Sequence, residues 1–175
     1  MIVTVRRLEP NDDRTSFRSG NLDLDRFFTR YAGQNQFRHH IGTTYVAIDE
    51  QDAIAGFATI AASELPTVRL PDSKRKGLPA YPAPVLRLAR LAVDQRAQGQ
   101  GVAQALLRAV SALAHQMAAD MGCLGVVVDA KPEAIGFYRK LGFVALEILA
   151  GPLGDRPEPL PMFLELGALP PPSRK

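Results

Sequence analysis

The chain has 175 residues, of which 46% are hydrophobic and 22% charged, enough to build one domain with a sizeable core and to exclude a disordered polymer. One cysteine, Cys123, excludes a disulfide framework and a cysteine-ligated zinc site and implies a reducing, cytoplasmic setting. A formal net charge of +3 permits an anionic partner without requiring one.

The opening MIVTVRRL lacks the apolar core of a signal peptide, and no apolar run approaches the ~18 residues of a membrane span. Residues 2–5 alternate apolar with polar and predict a first strand. Residues 11–21 are polar around Gly20 and predict a loop. Asn21 is placed to cap a helix whose first turn carries Asp23 and Asp25, where carboxylates suit the helix dipole. Leu24, Phe27, Phe28 and Tyr31 recur at helical spacing and predict its core face, with Gly42 ending the segment. Residues 43–48 and 54–61, apolar and β-branched around a short polar connection, predict a hairpin. Residues 65–84 contain Pro66, Pro71, Pro79, Pro82 and Pro84 and the cluster Lys74, Arg75, Lys76, and predict an exposed connection with at most one irregular turn.

Residues 86–93 predict a strand with a defect. Leu86 and Leu88 share one parity, Leu91 and Val93 the other, so the pattern slips near Ala89–Arg90. A β-bulge there would bend the strand and disturb its pairing. The alternative is a strand buried on both faces, where parity carries little information. A long helix starts at Val102, with Val102, Leu106, Val110, Leu113 and Met117 on one stripe and Gly122 as its stop. Residues 124–128 form a continuous apolar run, as in a buried parallel strand. Pro132 suits a first helical position, followed by Glu133. The short helix after it carries Ile135, Phe137 and Tyr138 and stops at Gly142. Residues 143–149 predict a strand, 151–161 a proline-rich loop, and 162–166 a last strand. The order predicts an α/β (mixed α+β) fold, a mixed sheet with helices on both faces. No internal repeat or linker divides it, so one domain is expected over residues 1–169, with a disordered tail over 170–175.

Chemistry concentrates in Arg96-Ala97-Gln98-Gly99-Gln100-Gly101, a glycine turn between a strand and a long helix. The first N–H groups of a helix lack internal partners and carry the positive end of its dipole, so this turn is a ready anion site. It lacks the Gly-Lys-Ser/Thr ending of a P-loop, and it is not the GxGxxG dinucleotide fingerprint. The alternative is a plain loop and helix start.

RxxGxG after a strand ending LAVD, followed some forty residues on by FYRKLGF, resembles the GNAT N-acetyltransferase family. The resemblance covers about residues 86–143. It implies a GNAT acyltransferase fold in which acetyl-coenzyme A (acetyl-CoA) lies where two parallel strands, here 86–93 and 124–128, splay apart. Leu91, Ala92 and Val93 would meet the acetyl and pantetheine part through their backbone. The N–H groups from Arg96 through Gln98, Gly99, Gln100, Gly101, Val102 and Ala103 would hold the pyrophosphate, and the Arg96 side chain would pair with phosphate unless it is a solvated surface charge. Gly99 and Gly101 leave the backbone bare for that approach. Lys131 and Phe137 complete the expected cofactor contacts, although Lys131-Pro132 stands where many members of the family have asparagine. Tyr138 falls at the motif position of the acid that protonates a departing thiolate; the alternative is a tyrosine that merely packs beside Phe137. No side chain stands out as general base. Cys123 reads as core, and His39, His40 and His115 lack ligand spacing, so no metal is expected.

The stretch FRSGNLDLDRFFTRYAGQNQ, then TTYVAID and ARLAVDQRAQGQG, is similar to the GNAT toxins of toxin–antitoxin pairs. That resemblance implies acetylation of the free amine of aminoacyl-tRNA, a ribbon-helix-helix antitoxin as partner, and a homodimer. Arg87, Arg90 and Arg38 would then face the nucleic acid, with Lys74, Arg75 and Lys76 as further cations. A GNAT enzyme acting on a small or protein amine, and a non-catalytic acyl-CoA-binding module, are the other readings.

Overall fold

A computed structural model describes residues 1–147 and 159–170. Residues 151–158 of the predicted loop over 151–161, the end of the predicted strand at 148–149, and residues 171–175 of the tail lie outside the described residues, while Leu160 and Pro161 belong to a strand rather than to that loop. Among the described residues seven strands are hydrogen-bonded in the order β1-β2-β3-β4-β5-β7-β6: β1 (Thr4–Arg7), β2 (Thr43–Ile48), β3 (Ile54–Leu65), β4 (Ala83–Val93), β5 (Gly125–Ala130), β6 (Val144–Ala145) and β7 (Leu160–Glu165). The chain divides into two compact units, Met1–Ala61 with Leu88–Ala112, and Ala62–Arg87 with Leu113–Lys175.

In the first unit β1 runs antiparallel to β2, from Thr4 opposite Ile48 to Arg7 opposite Tyr45, and β2 runs antiparallel to β3. Asp49 makes their turn. Its N–H donates to the Ala53 carbonyl, and its Oδ1 accepts from the N–H groups of Gln51 and Ala53. A carboxylate folding back onto the backbone is the usual chemistry of such a turn. Helix α1 (residues 22–39) begins as predicted, with Asn21 Oδ1 accepting from the N–H groups of Asp23 and Leu24.

It then departs from a regular α-helix, because Phe27–Tyr31 and Asn35–His39 are π turns. At the first of these Thr29 Oγ1 donates to the Asp25 carbonyl at 2.9 Å. The wider turns rotate the apolar stripe. Phe27, Phe28 and Ala32 are buried, while Tyr31, predicted to be core, is exposed. The helix ends at His40, in a left-handed conformation at φ 53°, two residues before the predicted Gly42. Its inner face closes on the Phe28 and Phe57 rings, stacked at 4.3 Å, with Phe17 edge-on to both.

In the second unit β5 pairs antiparallel with β7, from Gly125 opposite Glu165 to Ala130 opposite Leu160, and β6 pairs with β7 at Val144 and Ala145. The core joins Leu65, Leu70, Val85, Val127, Leu146 and Phe163. Residues 65–84 are therefore not simply an exposed connection. Leu65 and Leu70 are buried, a 3₁₀ turn spans Thr67–Arg69, and a short helix α2 spans Asp72–Arg75. Cys123 is buried and its Sγ donates to the Gly125 carbonyl at 3.3 Å, which fits the predicted core role.

Helix α3 (Val102–Asp120) buries Val102, Leu106 and Val110 as predicted. Leu113 and Met117 are only half-buried, and Ala114 takes the inner position. Gly122, at φ 100°, closes the helix by donating to the Met117 carbonyl. Helix α4 (Ile135–Lys140) follows a 3₁₀ turn that opens on Pro132.

Candidate acyl-donor and catalytic residues

In the first unit the turn between β4 and α3 has the form that the glycines predict. Gly99 and Gly101 lie at φ 74° and 85°, and a Cβ on either would meet open space. The positive φ angles, not crowding, are what require glycine. Among the described residues no acceptor meets the N–H groups of Gly99, Gln100, Gly101, Val102 or Ala103. The residues present thus fit an anionic group: a bare, outward loop leads into the unpaired N–H groups of a 19-residue helix.

Arg96, expected to pair with phosphate, is engaged with protein groups. Its N–H donates to Asp94 Oδ1 at 3.1 Å. Its guanidinium meets three acceptors: Nη2 donates to the Ile54 carbonyl at 3.1 Å, Nη1 lies 3.3 Å from Asp49 Oδ2, and Nε lies 3.4 Å from Asp94 Oδ1. The Arg96 side chain is itself 48% exposed, but both carboxylates are nearly buried and need a counter-charge. Gln98 and Gln100 are likewise tied inward by their side chains. Gln98 Nε2 donates to the carbonyls of Ser19 and Val93, and Gln100 Nε2 donates to the Arg96 carbonyl. Their contribution to a ligand is left to their backbone.

The three residues before the loop differ from one another. Ala92 is buried in the core with Phe27, while Leu91 and Val93 are half-exposed. Leu86, Leu88 and Ala92 are all buried and of one parity, so burial shows no slip at Ala89–Arg90. The apparent slip arises because Arg90 occupies an inward position, its guanidinium 3.7 Å from the Phe27 ring centroid. Burial lowers the Arg90 pKa from its ordinary value, and no carboxylate offsets it. Arg38 is exposed on the second π turn of α1.

In the second unit Tyr138 is buried on α4, its ring edge-on to Phe137 at 5.3 Å and to Phe143 at 5.2 Å. Its hydroxyl has no partner among the described residues, and none of their side-chain N or O atoms is both buried and unpartnered. The ring is therefore packed between two aromatic side chains, and no described residue holds the hydroxyl. Burial pushes the phenol up to about 12, so it carries its proton at any physiological pH. Lys131 is exposed just before Pro132, and Phe137 is half-buried.

Arg87 is paired with Asp129 at 2.6 Å, and Lys74 with Glu165 at 2.8 Å, which reduces what either offers a polyanion. Arg75 is paired with Asp72. Sequence reasoning missed Asp49 and Asp94. Asp94 could have been found as a cap, since its carboxylate accepts from the N–H of Arg96 two residues on. Asp49 had no local signal beyond its turn.

The sequence profile of the acetyltransferase (GNAT) domain matches residues 40–145. The tRNA-acetylating toxin of Mycobacterium tuberculosis is 32% identical over 139 residues, 79% of this chain and 82% of that protein. The structure of AtaT complexed with acetyl-methionyl-tRNAfMet is similar at a TM-score of 0.81 and 25% identity, covering 95% of this chain and 96% of that one. AtaTR bound with AcCoA gives a TM-score of 0.75 at 25% identity, covering 95% of both chains. The glycine turn and the tyrosine helix both fall inside the profile match over residues 40–145, and the chain belongs to the GNAT acetyltransferase family.

Proposed function

We propose that this acetyltransferase moves the acetyl group of acetyl-CoA to the free amine of aminoacyl-tRNA, blocks translation, and acts in the cytoplasm as the toxin of a toxin–antitoxin pair. The observation that carries this reading is 32% identity to a tRNA-acetylating toxin across 79% of this chain and 82% of that protein, well beyond the stretch that binds a donor.

When bound, acetyl-CoA supplies a thioester carbonyl that an amine can attack. The N–H groups of Gly99, Gln100, Gly101, Val102 and Ala103 would hold its pyrophosphate, with the backbone of Leu91 and Val93, and Lys131 and Phe137, along the rest. Tyr138 holds a proton at its hydroxyl, which suits a group that donates to the sulfur as the carbon–sulfur bond breaks. Arg90 and Arg38, free of carboxylate partners among the described residues, are the cations that would meet the acceptor's phosphates. Arg87 would have to leave Asp129 to do so. A ribbon-helix-helix antitoxin and a homodimer complete the proposal.

The test is transfer of labelled acetyl groups from acetyl-CoA to a pool of charged tRNAs. Label in the tRNA fraction, lost with Tyr138→Phe, is the expected result. Label found only in small amines or proteins would replace the tRNA reading with that acceptor class. Growth arrest on inducing the wild-type gene but not Tyr138→Phe, relief by the neighbouring antitoxin gene, and sedimentation of the purified chain test the remaining parts.

A further inference from the structure

Resting on the acetyl-CoA reading above, we infer that Arg96 is a positioning residue: with Asp49 and Asp94 it forms an ionic strut that sets the donor loop, and it does not bind phosphate.

Each guanidinium nitrogen of Arg96 already faces an acceptor, and the acceptors come from three directions. Asp49 belongs to the β2–β3 turn, which its other oxygen holds closed through Gln51 and Ala53. Ile54 opens β3. Asp94 caps the 3₁₀ turn Gln95–Ala97, and its second oxygen accepts from the Arg18 N–H at 3.0 Å. The Gln95 N–H donates to the Arg18 carbonyl, and Gln98 Nε2 to the Ser19 carbonyl. The segment around Arg18, the hairpin turn and the start of the donor loop are thus fastened to one another below Gly99 and Gly101.

The charge count supports the same conclusion. Two carboxylates and one guanidinium leave this cluster at net −1, which gives a phosphate no attraction. Asp49, with its side chain only 3% exposed, would be left as a buried, unpaired anion if Arg96 turned away to a ligand. Affinity for the pyrophosphate then comes from the unpaired N–H groups and the helix dipole, and Arg96 acts by fixing where those N–H groups point.

The two roles predict opposite signs for one substitution. If Arg96 bound phosphate, Asp49→Asn would release its guanidinium and tighten CoA binding. For a strut, Asp49→Asn weakens CoA binding about tenfold, Arg96→Met does the same, and the double variant is no worse than either. Asn keeps an oxygen for Gln51 and Ala53, so the turn is retained. Arg96→Lys does not rescue, because one ammonium cannot span three acceptors in different directions.

Titration of CoA into wild type and the four variants, each checked for folding by circular dichroism, reads this directly. In turnover, KM for acetyl-CoA rises while kcat at saturating donor and KM for the acceptor stay fixed. Acetyl-pantetheine, which lacks the pyrophosphate, loses nothing. Tighter or unchanged CoA binding in Asp49→Asn, or rescue by Arg96→Lys, overturns the strut. If wild type binds no CoA, the donor reading fails, and amide exchange of residues 95–103 in the free protein still decides. Faster exchange in Asp49→Asn and Arg96→Met supports the strut, and unchanged exchange overturns it.

Discussion

The Arg90 guanidinium lies 3.7 Å above the Phe27 ring, half-buried and without a carboxylate partner among the described residues. A cation held by an aromatic face alone keeps its hydrogen-bond donors for something else. Arg90→Met retains the apolar stem and removes only the charge. Its stability in urea should stay within about 1 kcal/mol of wild type, since relief of the guanidinium's desolvation offsets removal of a cation–π attraction of similar size. Transfer to charged tRNA should fall about tenfold, and the log–log salt dependence should drop by about one unit of slope. A large drop in stability with unchanged transfer would make Arg90 a core residue instead.

Tyr138→Phe removes a hydroxyl that has no partner among the described residues and keeps both ring contacts. Its melting temperature should match wild type, with turnover down by about 10²–10⁴-fold, the usual worth of a positioned acid. The pH behaviour has a definite sign. The phenol ionises at about 12 in the folded chain and near 10 when unfolded. Between those values the unfolded chain holds fewer protons, so stability present below pH ~10 is lost as pH rises toward ~12. By pH ~11 the loss should be about 1 kcal/mol in urea titrations, and Tyr138→Phe should not show it.

Gly101→Val should abolish CoA binding in a titration. Gly101 has φ 85°, which a β-branched residue adopts only under strain, and relaxing that angle would turn the N–H away from the ligand. The space around the position is open, so the folded state should lose only about 1–2 kcal/mol. Unchanged CoA affinity would sink the assignment of this loop.

Gly56→Ala tests a different constraint. A Cβ on Gly56 would lie 2.9 Å from Val102 Cγ1, 3.0 Å from the Ala92 carbonyl oxygen and 3.1 Å from Leu106 Cδ1. The first turn of α3 would have to lift off β3, at a cost of about 1–3 kcal/mol for overpacking. Because that turn carries the donor N–H groups, CoA affinity should fall together with the melting temperature. A stable variant with normal affinity would show that the helix start is not fixed by this contact.

Local chemistry was legible from the sequence, and long-range pairing was not. Asn21 announced its helix because capping is settled within three residues, and Gly99, Gly101, Gly122 and Gly142 mark left-handed turns. The stripe of α3 was readable over its first half, where one helical period holds. The pairing of Arg96 with Asp49 was not legible, because a motif position says nothing about a carboxylate on a distant hairpin. The parity of β4 was ambiguous because an arginine on an aromatic ring can take an inward position that hydrophobicity alone reserves for an aliphatic residue. Residues 65–84 looked exposed because prolines hid the anchoring of Leu65 and Leu70.

The two π turns of α1 carry a consequence for length. Each spends one more residue on a turn than an α-helix needs, and Thr29 already accommodates the displaced Asp25 carbonyl at the first of them. Loss of a single residue within Phe27–Tyr31 would restore α-helical spacing locally, a change that elsewhere in a helix would shift every later side chain off its face. The segment that presents Arg38 can therefore tolerate a change of one residue in length while the capped start at Asn21 stays fixed.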